Sequence, residues 1–434
     1  MQLKKILLTK IPPKKKKLSE LKKKYGNINI HNVSINELIG GMRSVKSMLW
    51  DTSILHPEKG ITFHGHDIDD LKSNLIKYKN GAQPIPEAML FFLLIGEFPN
   101  INQVNDITLE LHSRSKLSDK VIQLIKSFPK EMHPMTQLSS SILALQPDSI
   151  FFKNYQNGMP KDEYWEHTFE DILNLIAKLP NICALIYRNK YHNGQLIEYD
   201  DTLDYSGNFC KMLGFNNNDF YELMRLFLVI HSDHEGGNAS AHTCRLVGST
   251  LSDPYLALSS SMNALAGPLH GLANQEVLKW LLKLQSFLKD NEKEINKENV
   301  EEYAWQTLNN GKVIPGYGHS VLRVTDPRYL CQREFALKNL GDDELFKLVD
   351  LCYQVIPNVL KKHGKVKNPY PNVDGHSGVL LKYFGLEQYE FYTVLFSLGR
   401  SFGILSQLVW DRILNLPLER PKSVTLEWLI NNVN

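Results

Sequence analysis

Apolar residues recur at intervals of three and four along most of this chain, and that spacing predicts amphipathic helices almost throughout. The clearest runs are Tyr164 to Leu179, Glu222 to Ile230, Val277 to Leu288 and Val394 to Ile404. Leu90 to Ile95 is apolar without interruption and reads as helix buried on every side. Strand signals are sparse. The best is Gly60-Ile-Thr-Phe-His-Gly65, a short alternating segment ending at glycine that suits a small hairpin. Asp162, ahead of Trp165, and Asp219, before the 221–230 run, are candidate N-terminal caps. No repeat at a solenoid period is visible. The expected fold class is mainly α, with many helices of roughly 10 to 20 residues joined by short loops.

Length and composition narrow the picture. At 434 residues the chain exceeds the usual single-domain size, so two domains are expected. Hydrophobic residues at 43% against 22% charged exclude wholesale disorder, and a net charge of +2 gives no sign of a general polyanion binder. No apolar run approaches the ~18 residues of a membrane span. Five cysteines (Cys183, Cys210, Cys244, Cys331, Cys352) form no C-x-x-C pair, which favours reduced, buried thiols in an intracellular compartment over a disulfide framework. Residues 289 to 302 are highly charged, with only Ile295 and Val300 as large apolar positions, and read as a connector or solvated helix pair on a smaller domain. Residues 1 to 24 carry ten lysines and a single acid, Glu20, with a weak Leu3, Ile6, Leu7 stripe before Pro12-Pro13. A solvated, lysine-faced helix fits this stretch. An organellar signal and a nucleic-acid arm stay open, although transit peptides are typically Arg-rich and this segment has no Arg.

The candidate chemistry lies on Gly-rich bends. His270 sits in Gly-Pro-Leu-His-Gly, His319 in Pro-Gly-Tyr-Gly-His and Asp374 in Pro-Asn-Val-Asp-Gly-His-Ser-Gly. Imidazoles and a carboxylate on three separate bends point to an acid–base site assembled from loops. Residues 231 to 242, His-Ser-Asp-His-Glu-Gly-Gly-Asn-Ala-Ser-Ala-His, gather potential ligands but lack the H-E-x-x-H spacing, so no metal site is expected. A helix running into the Gly-Gly bend and presenting His234 and Asn238 to a polar ligand fits better. Segment 311 to 323 is glycine-dense yet matches neither a P-loop nor a dinucleotide fingerprint, which leaves an extended ligand with a heterocycle and phosphates, or an ordinary turn. Arg328, Arg400 and Arg420 stand beside turn formers or small residues. Arg400 lies within an otherwise apolar helical run, where it needs an anion: an internal acid or a small di- or tricarboxylate.

The segments 231–238 (His-Ser-Asp-His-Glu-Gly-Gly-Asn), 267–276 (Gly-Pro-Leu-His-Gly-Leu-Ala-Asn-Gln-Glu), 313–319 (Val-Ile-Pro-Gly-Tyr-Gly-His) and 368–378 (Asn-Pro-Tyr-Pro-Asn-Val-Asp-Gly-His-Ser-Gly) together resemble the citrate synthase family, most closely its eukaryotic mitochondrial type. The resemblance runs from Gly40-Gly41-Met42-Arg43 to Glu419-Arg420-Pro421-Lys422-Ser423, nearly the whole chain.

That resemblance implies a mainly α-helical homodimer, each subunit with a large and a small domain and the active site in the cleft between them. On this chain the division becomes 1–271 (large domain, with the Lys-rich segment 1–30), 272–385 (small domain) and 386–434 (large domain again, reaching the partner). The implied reaction joins acetyl-CoA to oxaloacetate and water, giving citrate and CoA with Si stereochemistry, as in the first step of the tricarboxylic acid cycle. Asp374 is the implied base on the acetyl methyl group, His270 the group stabilising the enol, and His319 the group polarising the oxaloacetate carbonyl. Oxaloacetate and citrate fall to His234, Arg328, Arg400 and Arg420, the last from the partner subunit. CoA falls to Val313, Ile314, Pro315, Gly316, Tyr317 and Gly318, with Arg43, Lys161, Arg323, Lys365 and Asn372. Lys161 stands where some relatives carry arginine, keeping the charge without the fork. Gly375 stands where alanine is common. No metal and no cofactor is implied, the CoA thioester being a substrate, and neither nucleic acid nor membrane is an expected partner. The expected location is the mitochondrial matrix, although residues 1 to 30 match the family's mature N-terminal helix and leave no obvious removable presequence. A 2-methylcitrate synthase using propionyl-CoA, a non-catalytic assembly protein of the same fold and a metal-dependent hydrolase built on 231–242 are the alternatives.

Overall fold

A computed structural model describes residues 1–432. Its centre is a pair of long helices, Tyr164–Tyr191 and Tyr392–Ile413, packed along one another. The second is buried almost end to end, and the neighbouring Pro86–Ile95 helix is buried at every residue, as its unbroken apolar run predicts. Helices Pro134–Ala144, Tyr205–Leu213, Asn218–Ile230, Ala239–Ser249 and Pro254–Leu265 surround this pair. A second set, Ala273–Asp290, Lys297–Asn309, Pro327–Asn339, Glu344–His363 and Asp374–Tyr383, packs mainly on itself. The charged stretch at 289–302 ends the first of these helices, forms the link at 291–296 and begins the second, where Val300 is buried. Among the described residues the only sheet is the hairpin Ser53–His56 with Gly60–Phe63, antiparallel, with Ser53 opposite Phe63. No described helix is long and apolar enough to cross a membrane.

Local chemistry sets the helix starts, and two of the expected caps fall elsewhere. Asn217, not Asp219, caps the Asn218–Ile230 helix, its side chain accepting from the amides of Asp219 at 2.8 Å and Phe220 at 3.2 Å. Asp219 is already inside the first turn, where its oxygen cannot reach back to those donors. Asp162 lies in a short 3-10 turn, Lys161–Glu163, and the long helix that follows has no side-chain cap. The N-terminal helix, Gln2–Tyr25, runs straight through Pro12-Pro13. Leu3, Leu7 and Ile11 bury its inner face, while Lys4 reaches Glu166 at 3.1 Å and Lys14 reaches Asp51 at 2.7 Å with its ammonium over Trp410. All five cysteines are buried and unpaired, and burial pushes each thiol above its ordinary range.

The contact that positions the site is the approach of the Tyr392–Ile413 helix to the bend after Ile230. The amide of Gly403 donates to the Ser232 carbonyl at 2.8 Å. A Cβ on Gly403 would fall 2.5 Å from Asp233 side-chain atoms, and one on Gly399 would fall 3.1 Å from the Leu228 carbonyl. Hydrogen atoms at both positions let the helix backbone lie directly on segment 228–233. Gly403→Ala is expected to destabilise the protein by roughly 1–3 kcal/mol through this overpacking. Gly237→Ala, whose nearest new neighbour would be a flexible Glu235 oxygen at 3.7 Å, should stay within about 0.5 kcal/mol of the parent. Reversible thermal or denaturant unfolding of the two variants checks the contrast.

Candidate active site

His270 lies in the tight turn between the Pro254–Leu265 and Ala273–Asp290 helices, closed by its own amide donating to Gly267 and by Gly271 donating to Leu265. Its Nε2 receives the backbone amide of Ser240 at 3.3 Å and stands 2.9 Å from the Ser240 hydroxyl. A backbone N–H can only donate, so Nε2 is the acceptor and the ring proton sits on Nδ1. Burial, helped by the charge of Arg400, holds His270 down to about 4, so the ring is neutral near pH 7.

His319 is fixed in the opposite tautomer. Its Nδ1 accepts the amides of Val321 at 3.0 Å and Leu322 at 3.1 Å, which leaves the proton on Nε2. Burial first, and Arg328 second, lower it to about 4. The loop that carries it is zipped to 370–372: Gly318 donates to the Tyr370 carbonyl at 3.0 Å, Asn372 donates to the Gly316 carbonyl at 2.9 Å, and the Asn372 side-chain amide donates to the Gly318 carbonyl at 3.1 Å. Gly316 has φ +79°, and a Cβ there would come within 3.0 Å of the Gly375 Cα, so glycine permits the loop to lie against the residue after Asp374.

Asp374 opens the Asp374–Tyr383 helix, its amide donating to the Asn372 side chain at 3.0 Å. No hydrogen bond reaches its carboxylate among the described residues. Burial raises it to about 6, against the lowering pull of Arg328 and Arg400. The arginines differ sharply. Arg328 is clamped by Asp326 through Nε at 3.0 Å and Nη2 at 2.7 Å, and its Nη1 donates to His234 Nδ1 at 2.9 Å. His234 therefore carries its proton on Nε2, and burial with Arg328 and Arg400 keeps it well below its ordinary value. Its ring meets that of His319 at a centroid separation of 5.6 Å. Arg400 has no carboxylate within bridging distance among the described residues. Its Nη1 donates to the Asn238 oxygen at 3.1 Å and lies 3.4 Å from the Ser240 hydroxyl, while its buried Nε has no acceptor. The Nε–Nη2 edge, a side that can grip a carboxylate in two bonds, carries no hydrogen bond among the described residues.

The sequence-predicted residues thus divide into two groups. His234, His270, His319, Arg328, Arg400 and Asp374 share one neighbourhood, with the 313–318 loop and Asn372 beside it. Val313 is exposed and Ile314 buried. Arg323 is exposed and folds over its own loop, donating to the Leu322 carbonyl at 2.7 Å. Arg43, Lys161, Lys365 and Arg420 are exposed, and their side chains bond to none of the cluster within this single chain. Asn238 does not present a free amide. Its Nδ2 donates to the carbonyls of His234 and Glu235, and its oxygen serves Ser240, Ala241 and Arg400. Two structural partners went unread in the sequence. Ser240, which fixes the His270 tautomer, carried no signal. Asp326 did carry one, since Asp-Pro marks a capped helix start and places a carboxylate two residues before Arg328. Among the described residues no three His, Cys, Asp or Glu side chains are grouped to hold a metal ion.

Fold and site together define a mainly α-helical protein that gathers three neutral imidazoles of fixed tautomer, a carboxylate with no hydrogen bond among the described residues and two arginines. Residues 41–422 match the family described as citrate synthase, C-terminal domain. The chain is 53% identical over 429 residues to citrate synthase 4, mitochondrial, of Arabidopsis thaliana, covering 99% of this chain and 90% of that one. It is 52% identical over 417 residues to the mitochondrial citrate synthase of Saccharomyces cerevisiae, covering 96% and 86%. Among solved structures, citrate synthase from Pyrobaculum aerophilum superposes with a TM-score of 0.77 at 24% identity, covering 89% of this chain and 92% of that one. The Thermoplasma acidophilum enzyme, solved with carboxymethyl coenzyme A and oxaloacetate, gives 0.73 at 21%, covering 91% and 97%. These two likenesses concern the fold. The chain belongs to the citrate synthase family, enzymes that transfer an acyl group.

The raised carboxyl of Asp374 has a stability consequence. Its folded value, about 6, lies above the ordinary 3.8, so burial costs the anion more than the protonated form. The favourable contribution is complete below about 3.8 and disappears as pH rises through about 6. Asp374→Asn should therefore be more stable than the parent at pH 7 to 8, with the gap closing between about pH 6 and 4. Unfolding midpoints measured across that range check the trend, and a gap that widened on acidification would contradict it.

Proposed function

We propose that this chain is a citrate synthase of the Si type, condensing acetyl-CoA with oxaloacetate and water to give citrate and CoA, and that it works in the mitochondrial matrix at the entry of the tricarboxylic acid cycle. The observation that carries the reading is the pair of opposite, fixed tautomers at His270 and His319 beside a carboxylate that accepts no hydrogen bond.

The roles follow from those proton positions. Asp374, raised to about 6, is ionised near pH 7 and more basic than a solvated aspartate, as abstraction of a methyl proton from a thioester requires. His270 offers its Nδ1–H to the thioester oxygen as negative charge develops there, a neutral donor for an enol or enolate. The enol carbon attacks the oxaloacetate ketone, whose oxygen takes a hydrogen bond and then a proton from His319 Nε2. Citryl-CoA is then hydrolysed. These steps are acid–base chemistry throughout, so the proposal invokes no metal and no redox cofactor.

The substrate carboxylates fall to His234, Arg328 and Arg400. Arg328 spends three N–H groups on Asp326 and His234 and keeps two, while Arg400 keeps its open edge. Asp326, Asp233 and Asp374 set three negative charges against these two cations, so a dianion needs at least one more positive group. Arg420, exposed and without an ion pair among the described residues, meets that need as the partner subunit's Arg420 in a homodimer. CoA is assigned to the 313–318 backbone, Arg43, Lys161, Arg323, Lys365 and Asn372, with exposed Leu269 and Val313 as apolar rests. Closing a small domain (272–385) on the large one (1–271 with 386–434) would bring these scattered cations in and exclude water during the enol stage.

Release of CoA thiol, measured with oxaloacetate and either acetyl-CoA or propionyl-CoA, tests the reading. Acetyl-CoA should be preferred in kcat/KM, and Asp374→Asn should lower kcat by about 10²–10⁴-fold while oxaloacetate binding survives. A clear propionyl preference would make the enzyme a 2-methylcitrate synthase, and an Asp374 variant within about threefold of the parent would remove the proposed base.

Subunit mixing tests the shared site. If Arg420 acts across the interface, inactive Arg420→Ala and Asp374→Asn chains, refolded together, should recover activity. Half of the dimers are then mixed and each has one intact site, so about a quarter of all sites are restored. No recovery in dimers shown to be mixed would place Arg420 in its own subunit's site or in none.

A further inference from the structure

Asp233 stands next to His234 in the bend that carried the abandoned metal reading, and the mechanism above gives it no part. It is fully buried. Its Oδ2 accepts three bonds, from the Thr52 hydroxyl at 2.5 Å, the Ser53 hydroxyl at 2.8 Å and the Trp50 indole N–H at 3.1 Å. Oδ1 has no partner and lies against Gly403, one helical turn beyond Arg400. Ser53 also receives the Glu235 amide at 2.7 Å, so the hairpin and the bend are locked on both sides of His234. Among the described residues Arg400 makes no ion pair, yet Asp233 contributes most to keeping it charged, ahead of Asp374, while Arg328 opposes. The other titratable groups near this guanidinium are His231, His234 and His270, all held neutral.

We infer that Asp233 is a positioning residue that sets the affinity of the carboxylate cradle: a fixed anion that compensates buried Arg400 from a distance without occupying its fork. Two consequences distinguish this from simple packing. First, Trp50, Thr52 and Ser53 pin Oδ2 of Asp233 to the hairpin, so the carboxylate cannot swing over and close the Nε–Nη2 edge of Arg400. Second, its charge opposes that of an incoming dicarboxylate, which keeps binding short of the tightness that would trap a tricarboxylate product. The inference rests on the proposed oxaloacetate site.

The sign of one substitution decides it. Asp233→Asn keeps an oxygen for Thr52 and Ser53 and removes the charge, so oxaloacetate should bind tighter, by roughly tenfold at an effective dielectric near 20. Citrate should inhibit more strongly, kcat should fall with slower product release, and KM for acetyl-CoA should hardly move. A residue that merely anchors the hairpin gives the reverse, and unchanged or weaker oxaloacetate binding by calorimetry overturns the proposal. If Asp233→Asn does not fold, Thr52→Val carries the test. With one donor removed, more of the carboxylate's field reaches the cradle, and binding must weaken more for citrate, with three carboxylates, than for oxaloacetate, with two. Equal losses for the two ligands overturn it. Calorimetry on the parent separates the two levels: a parent that binds succinate but not oxaloacetate defeats the substrate reading, while the Asp233 comparison is still read with succinate.

Discussion

A guanidinium buried in the middle of a helix, with no carboxylate among the described residues to hold it, is the constraint around which this molecule is arranged. Arg400 is 1% exposed and lies on a helix that is otherwise apolar over most of its length. Removing such a charge from water is costly unless hydrogen bonds and distant anions compensate. Here the compensation is deliberately incomplete: two oxygens on one nitrogen, the Phe396 ring beneath at 4.8 Å, and Asp233 beyond the Gly399–Gly403 contact. Glycines at 399 and 403 are needed for the same reason, because any side chain there would separate the helix from the bend that brings Asp233, His234 and Asn238 to it. Arg328 shows the opposite solution, a guanidinium satisfied by Asp326 and held rigid enough to orient His234.

The histidines extend that logic to protons. Each imidazole of the cluster has one nitrogen occupied by a donor that cannot reverse its role: the Ser240 amide for His270, the Val321 and Leu322 amides for His319, and Arg328 for His234. Burial and the two arginines then keep all three rings neutral. Each therefore presents a single N–H on its remaining nitrogen, and orientation is built into backbone that is itself fixed by glycine turns. Such donors need no rearrangement when charge appears on a substrate, which is where preorganised electrostatics has its effect.

Much of this was legible in the chain. The unbroken apolar run at 90–95 is buried on all sides, the segment at 60–65 supplies one strand of the hairpin, and His270 and His319 lie on the Gly-rich bends that drew attention to them, whereas Asp374 is the first residue of a helix that takes in Gly375 and Gly378. What the sequence hid was pairing. Periodicity places Arg400 on a buried helix but does not say that Asn238 and Ser240, some 160 residues earlier, supply its hydrogen bonds. The same blindness left the His270 tautomer unreadable, since it depends on a backbone amide. The caps failed for a local reason: Asp219 and Asn217 are both good capping residues, and a shift of two positions decides which oxygen faces the free amides. The apolar stripe visible in the sequence stops before Pro12-Pro13, yet the helix continues through both prolines, with Leu3, Leu7, Ile11 and the Lys4 and Lys14 ion pairs holding it to the body.

The five buried cysteines gain meaning from the proposed reaction. A thioester entering the cleft and a free thiol leaving it are both capable of exchange with any accessible protein thiolate, acylating the first or forming mixed disulfides with the second. Every cysteine here is enclosed and held in its protonated form by burial. The fold thereby insulates its own sulfur from the sulfur chemistry of its substrate, and an enzyme that meets acyl-CoA at every turnover is spared self-acylation without any dedicated protective device.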